Sequence, residues 1–239
     1  MNQELSRVSV SVVLPTYNEK ETIAEAIRRL SSALGGRLLE IIVVDDNSPD
    51  GTWKLVQELD HPKVRLIRRM DERGLASAIA RGVKEAGGDA VVWMDCDLGL
   101  PPEDVPRLVE RLSDADVVVG SRYVAGGRDT RHWLRAFISW IFNFYASIIL
   151  GFGVRDYTSG FVAAKKSVTD AVPLSTEGFG EYCAEFIYRC RKKGFRVAEV
   201  GYIYRYRKAG TSKLDSNLWN FLRMGMNYGW RILKIRMEW

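Results

Sequence analysis

Two aspartates, Asp95 and Asp97, stand two residues apart where the apolar run Ala90-Val91-Val92-Trp93-Met94 stops and Gly99, Pro101 and Pro102 begin. On a strand, residues i and i+2 share a face, so both carboxylates point the same way from its C-terminal end. Two like charges that close repel, and burying them unpaired is costly, so a cation is their natural partner. Hard oxygen ligands with room for water and phosphate oxygens suit Mg²⁺ or Mn²⁺. A solvated strand-to-loop turn is the competing reading of any lone Asp-x-Asp. The elements around it have to decide.

Those elements alternate. Residues 8–14 read as a buried strand running into Pro15-Thr16-Tyr17-Asn18-Glu19, and residues 22–34 carry Ile23, Ala26, Ile27, Leu30 and Leu34 at helical spacing. Residues 38–44 are continuously apolar, as a strand buried on both faces requires, and end in the turn-forming run from Asp45 to Thr52. A helix over 52–59, a strand over 64–67, a helix over 74–86, a helix over 103–112 and a strand over 116–120 complete the series. This alternation predicts an α/β domain, a Rossmann-like, mostly parallel sheet with helices on both faces. In such sheets ligands sit beyond the carboxyl ends of the strands. Glu19, Asp45, Asp46, Asp95 and Asp97 all fall at that edge.

The composition, 46% hydrophobic and 27% charged over 239 residues, predicts a packed core. A net charge of +5 suits an anionic partner. Nucleic acid is not expected, because no basic–aromatic stacking pattern accompanies the charge. Three cysteines without a C-x-x-C pair argue against a disulfide framework, and two histidines exclude a histidine-rich zinc site. No secretory signal and no membrane-spanning helix are expected.

The second half changes character. Trp133–Leu150 is apolar apart from Arg135, Ser139, Asn143 and Ser147, which recur at i+4 as a narrow polar stripe. The alternatives are a core helix and a helix resting on lipid. Residues 196–206 read as strands. Arg205, Arg207, Lys208 and Lys213 cluster around Gly210-Thr211-Ser212, a basic loop suited to an oxyanion. The tail, 215–239, steps polar residues by three or four against tryptophans and aliphatics, as interfacial amphipathic helices do. Packing on another subunit would use the same face, so an oligomer stays open. The chain divides into a catalytic domain over 1–214, with an interfacial helical segment at 130–154, and the amphipathic tail.

Seven motifs, in order, resemble the family 2 glycosyltransferases of GT-A fold, in particular their dolichyl-phosphate mannose synthase branch. They are Pro15-Thr-Tyr-Asn-Glu19, Asp45-Asp-Asn-Ser-Pro-Asp-Gly-Thr52, Arg73-Gly-Leu-Ala-Ser-Ala-Ile79, the Asp95-Cys-Asp97 pair, Gly120-Ser-Arg-Tyr123, Thr158-Ser-Gly-Phe161 and Arg207 followed by Gly210-Thr-Ser-Lys213. The resemblance implies an inverting, metal-dependent transfer of a hexose, most often mannose from GDP-mannose, to dolichyl or another polyprenyl phosphate. It implies that Pro15, Tyr17, Asn18, Glu19, Val44, Asp45, Asp46, Asp95 and Cys96 line the nucleotide. It implies that Asp95 and Asp97 hold Mg²⁺ or Mn²⁺ and that Arg122, Arg207 and Lys213 hold phosphate, with Asp97 also counted among the catalytic groups. A polyprenyl phosphate is already an anion, so the poverty in histidine is no obstacle. The acceptor implies a peripheral seat on the cytoplasmic side of a membrane.

Two positions depart from the family's pattern. Gly99 stands where a glutamine is usual, and Gly180 where a lysine is usual. Both remove a polar group near sugar or phosphate. A UDP-sugar donor, of glucose or N-acetylglucosamine type, and a non-catalytic relative that binds sugar nucleotide or lipid are therefore the alternatives. An aspartyl phosphotransferase is disfavoured, since Gly99 stands where that class wants threonine or valine.

Overall fold

The computed structural model describes residues 8–178, 180–205 and 218–239, with the side chains of 218–227 outside the description. The first half is a regular series: β1 (Val10–Thr16), α1 (Ile23–Leu34), β2 (Leu38–Asp45), α2 (Thr52–Glu58), β3 (Val64–Arg68), α3 (Leu75–Glu85), β4 (Ala90–Trp93), α4 (Val105–Arg111) and β5 (Val117–Ser121). Then follow β6 (Arg128–Asp129), α5 (Trp133–Leu150), β7 (Val162–Lys165), α6 (Lys166–Ala171), α7 (Glu181–Lys192), β8 (Val197–Gly201), β9 (Ile203–Tyr204) and α8 (Leu218–Glu238).

The main sheet has the order β3-β2-β1-β4-β7-β5-β8. β1 pairs in parallel with β2 and β4, β2 with β3, and β5 with β8, whereas β7 runs antiparallel between β4 and β5. The mostly parallel sheet is as the sequence predicts. The inserted β7 is not: Val162-Ala163-Ala164-Lys165 is four residues long and half alanine, too little to register as a strand.

Continuous apolar runs follow from burial on both faces. Val10, Val12 and Leu14 of β1, Ile41 and Val43 of β2, and Ala90 and Val92 of β4 meet α1, α2 and α4 on one side. Val13, Ile42, Val44, Val91 and Trp93 meet α3, α5, α6, α7 and α8 on the other. Alternation along each strand serves two cores. At Gly82 a Cβ would stand 2.4 Å from Val13 Cγ1, so α3 lies on β1 more closely than any side chain would allow.

α5 turns its polar stripe inward. Asn143 and Ser147 are buried, while Trp133, Leu134, Phe137, Trp140, Ile141, Phe144 and Ile148 are exposed. Trp140 stacks with Phe137 and Phe144 at ring separations of 6.2 and 5.5 Å. By length and composition α5 could cross a membrane. Its buried hydrogen bonds to the domain instead fix one side against protein. α8 docks beside it, with Phe142 and Tyr228 rings 5.5 Å apart and Tyr145 donating to the Gly229 carbonyl at 3.2 Å. Ile232 and Ile235 of α8 enter the core, and Trp230, Leu233 and Met237 face outward. Gly225 and Gly229 do not interrupt the helix.

Candidate active site

The carboxyl ends of β1, β2 and β4 reach one edge, where Thr16 aligns with Asp45 and Val13 with Trp93. Pro15 lies beyond the last residue of β1 that pairs with β4, so its missing N–H costs that ladder nothing. Asp45 is fully buried and accepts from Thr16 Oγ1 at 2.8 Å, Ser48 N at 2.8 Å and Ser48 Oγ at 2.6 Å. Asp46 pairs with Arg69 and accepts from Gly74 N at 2.8 Å, which ties the start of α3 to the end of β2. Both acids thus brace the edge, and Val44 is buried behind them.

Asn18, in the left-handed region at φ 59°, donates its N–H to Ser48 Oγ at 3.0 Å. Glu19 donates its N–H to Thr52 Oγ1 at 3.0 Å, and its Oε2 accepts from Thr22 Oγ1 at 3.0 Å. The Arg73 guanidinium stacks 3.7 Å from the centre of the Tyr17 ring, forming a wall beside this edge. A cleft of about 900 Å³ shares Arg73 with that wall, but Arg81, Lys84, Asp170 and Thr176 line it further on, away from Asp95 and Asp97.

Past β4 the chain turns sharply. Asp97 Oδ1 accepts from Gly99 N at 2.9 Å, and Leu98 between them sits at φ 61°, a conformation costly for a side chain. The ribbon of β6 and β9 lies over this turn: Arg205 N donates to the Gly99 carbonyl at 3.0 Å. A Cβ at Gly99 would stand 3.0 Å from Tyr204 Cζ and 3.1 Å from both Tyr204 Oη and Asp97 Oδ1. The tyrosine therefore fills the room that a side chain at 99 would take.

Asp95 and Asp97 carry the hard carboxylate oxygens that divalent cations such as Mg²⁺ and Mn²⁺ take as ligands. Among the described residues no third histidine, cysteine or acid groups with them. Burial, then the charges of Glu19, Asp97 and Asp95, push the Cys96 thiol well up.

Arg122, at the end of β5, is held in a buried cluster. Its Nε and Nη2 donate to Asp156 at 2.8 and 2.7 Å, its N–H donates to Asp156 at 3.0 Å, and Nη2 also donates to Thr158 Oγ1 at 2.7 Å. Nη1 points to Asp129 at 3.7 Å, and Arg131 holds Asp129 with bonds of 2.5 and 2.9 Å. Burial works against the Arg122 charge, and the Asp156 charge and hydrogen bonds more than offset it. The turn from Asp156 to Gly160 spans both centres. It begins on Arg122 and ends where a Cβ at Gly160 would stand 3.8 Å from Asp95 Oδ2.

Arg207 and Lys213 lie outside the described residues. Among the described side chains of the tail, two arginines meet the domain. Arg231 pairs with Glu181 at 3.2 Å and Arg236 donates to Tyr188 Oη at 2.7 Å, so both dock α8 on α7. Tyr204 and Asp156 escape sequence reasoning because Gly99 and Arg122, which they meet, are distant in the chain, and Asn143 shows in the stripe of α5 without its partner Thr158.

Residues 11–172 match the family model "Glycosyl transferase family 2". The chain is 41% identical over 228 residues to the dolichol-phosphate mannosyltransferase of Pyrococcus furiosus, covering 90% of this chain and 62% of that protein's length. It is 33% identical to the undecaprenyl-phosphate mannosyltransferase of Micrococcus luteus, covering 95% of this chain and 98% of that one. In shape it resembles glucosyl-3-phosphoglycerate synthase from Mycobacterium tuberculosis, solved with Mn²⁺, UDP and phosphoglyceric acid, with a TM-score of 0.75 at 21% identity, covering 99% of this chain and 82% of that one. That likeness shows the fold, the GT-A arrangement expected from the motifs. With two thirds of its length matched by the family model and 41% identity to the Pyrococcus protein, the chain belongs to glycosyl transferase family 2.

Proposed function

We propose that this glycosyltransferase moves mannose from GDP-mannose to dolichyl or another polyprenyl phosphate with inversion at the anomeric carbon. The observation that carries the reading is an adjacency: one turn, Asp156 to Gly160, joins the paired carboxylates to the Arg122 cluster, and an outward-facing apolar helix lies against that cluster. A donor diphosphate, an anionic acceptor and a lipid tail each find a matching surface. The relatives named as mannosyltransferases of dolichol and undecaprenyl phosphate support it.

In this reading Pro15, Tyr17, Asn18, Glu19, Val44, Asp45, Asp46 and Cys96 line the base and ribose. Asp95 and Asp97 hold Mg²⁺ or Mn²⁺, which when bound neutralises the departing diphosphate. The acceptor phosphate oxygen attacks the anomeric carbon as the bond to the diphosphate oxygen breaks, and GDP leaves. No strong general base is needed. Arg122, Arg207 and Lys213 offset the repulsion between the two anionic reactants. A UDP-glucose donor is the second reading, favoured by the loss of a side chain at Gly99 and by the UDP in the structural relative. Calorimetry with Mn²⁺ separates them: GDP is expected to bind at least about tenfold more tightly than UDP, a difference of about 1.4 kcal/mol. Tighter UDP binding would favour the second.

Arg207→Ala is expected to lower turnover with polyprenyl phosphate far more than it lowers the melting temperature. Steady-state rates beside a thermal melt check this, and unchanged turnover would remove Arg207 from the site.

The exposed side chains of α5 and α8 predict peripheral association with lipid. Trp133, Phe137, Trp140, Phe144 and Ile148 of α5, and Trp230 and Met237 of the neighbouring α8, are exposed apolar side chains. Because Arg231 and Arg236 already have partners on α7, burial of apolar side chains is expected to dominate over charge, and salt should weaken binding only in part. Cosedimentation with anionic liposomes is expected and should be lost in Trp140→Glu/Phe144→Glu. A parent protein that stayed in the supernatant at low salt would refute it.

A further inference from the structure

We infer that Asn143 and Thr158 are positioning residues that tie the seating of α5 to the orientation of Arg122. The inference rests on the acceptor reading above and goes further, assigning work to residues that touch neither substrate. Asn143 is 1% exposed on a helix whose outer face is almost wholly apolar. Its Nδ2 donates to the Ser139 carbonyl and to Thr158 Oγ1, both at 2.8 Å, and its Oδ1 accepts from Thr158 N at 3.2 Å.

Thr158 Oγ1 is the junction. A hydroxyl has one proton to give and two lone pairs to fill. Here it accepts from Asn143 Nδ2 at 2.8 Å and from Arg122 Nη2 at 2.7 Å, and donates to Asp156 Oδ1 at 3.2 Å. All three places are taken. α5 and Arg122 therefore share one oxygen, with no slack for either to shift alone. A second tie runs alongside it, Tyr123 Oη donating to Ser139 Oγ at 3.0 Å. Buried networks of this kind hold one arrangement because each member left unsatisfied is costly.

The consequence is directional. A helix pressed by lipid on its outer face is fixed on its inner face, and the group fixed there is the arginine assigned to the acceptor phosphate. Removing the junction should loosen Arg122 without touching the donor's carboxylates or the lipid-facing side chains.

The test uses the full chain with three variants, Thr158→Val, Asn143→Leu and Thr158→Ser. In steady-state assays with polyprenyl phosphate, Thr158→Val and Asn143→Leu are expected to raise the acceptor KM about tenfold or more, the first by removing the hydroxyl that Arg122 and Asp156 share and the second by removing the amide that holds Thr158. The donor KM should stay near the parent's, and Thr158→Ser, which keeps the hydroxyl, should restore most of the loss. Equal effects on both KM values that track lost stability, or no effect on either, would overturn the inference.

A second measurement needs no turnover. The ¹⁵N signal of Arg122 Nε, assigned by its loss in Arg122→Lys, is followed as nanodiscs of phosphatidylglycerol and phosphatidylcholine are added. It is expected to shift in the parent and not in Thr158→Val, although both bind the discs. A shift of the same size in both, or none in the parent, would overturn the coupling. A parent that formed no glycosyl-phosphoprenol would instead defeat the acceptor reading, and the Arg122 signal would still decide the coupling.

Discussion

Asp97→Ala is expected to lower transfer roughly a thousandfold or more, the scale of removing a metal that supplies several kcal/mol to the departing charge. The protein should remain folded, because the bond that Asp97 accepts from Gly99 N at 2.9 Å is of a kind that contributes about 1 kcal/mol, a small part of a domain's stability. Asp97→Asn sharpens the test. The amide oxygen can still accept from Gly99, so its melting temperature should stay closer to the parent's, yet it carries no charge for a cation. If both variants bound Mn²⁺·GDP as the parent does, or if EDTA left donor affinity unchanged, Asp95 and Asp97 would not be the metal site.

Asp156→Ala has the largest expected cost in stability. It strips a fully buried carboxylate from a guanidinium that is itself buried, taking three hydrogen bonds from Arg122. Breaking a buried pair on one side costs about 3–5 kcal/mol, since the other charge stays behind without a partner. Urea denaturation should show the midpoint fall accordingly. Arg122→Met added to Asp156→Ala should recover part of the loss, because the stranded charge is gone. A single variant within about 1 kcal/mol of the parent would mean that the cluster is solvated rather than buried.

The parallel half of the fold is legible because each strand is a continuous apolar run and each helix keeps its period. Val8 through Glu85 reads almost residue by residue. β7 is not legible: a short, alanine-rich strand owes its place to the edges of β4 and β5, which no local pattern announces. The carboxylates Asp95 and Asp97 announce themselves by spacing and by the abrupt end of a strand. The bracing bonds of Asp45 and Asp46 do not, since no local pattern tells that Asp45 takes Ser48 and Asp46 takes Arg69 and Gly74. The stripe of α5 is visible at i+4, but which way it faces depends on Tyr123, Val154 and Thr158, which supply the inward partners. Tyr204 over Gly99 links positions more than a hundred residues apart, and the chain's own order hides it.

The most direct measurement of what this glycosyltransferase makes is mass spectrometry of the lipid product. The full chain is incubated with Mg²⁺, undecaprenyl phosphate and, in parallel, GDP-mannose, UDP-glucose and UDP-N-acetylglucosamine. The expected result is mannosyl-phosphoprenol formed with one GDP released per product, abolished by EDTA and by Asp97→Asn. Product from a UDP-sugar alone, or from no donor while GDP still binds, would contradict mannosyl transfer from GDP-mannose.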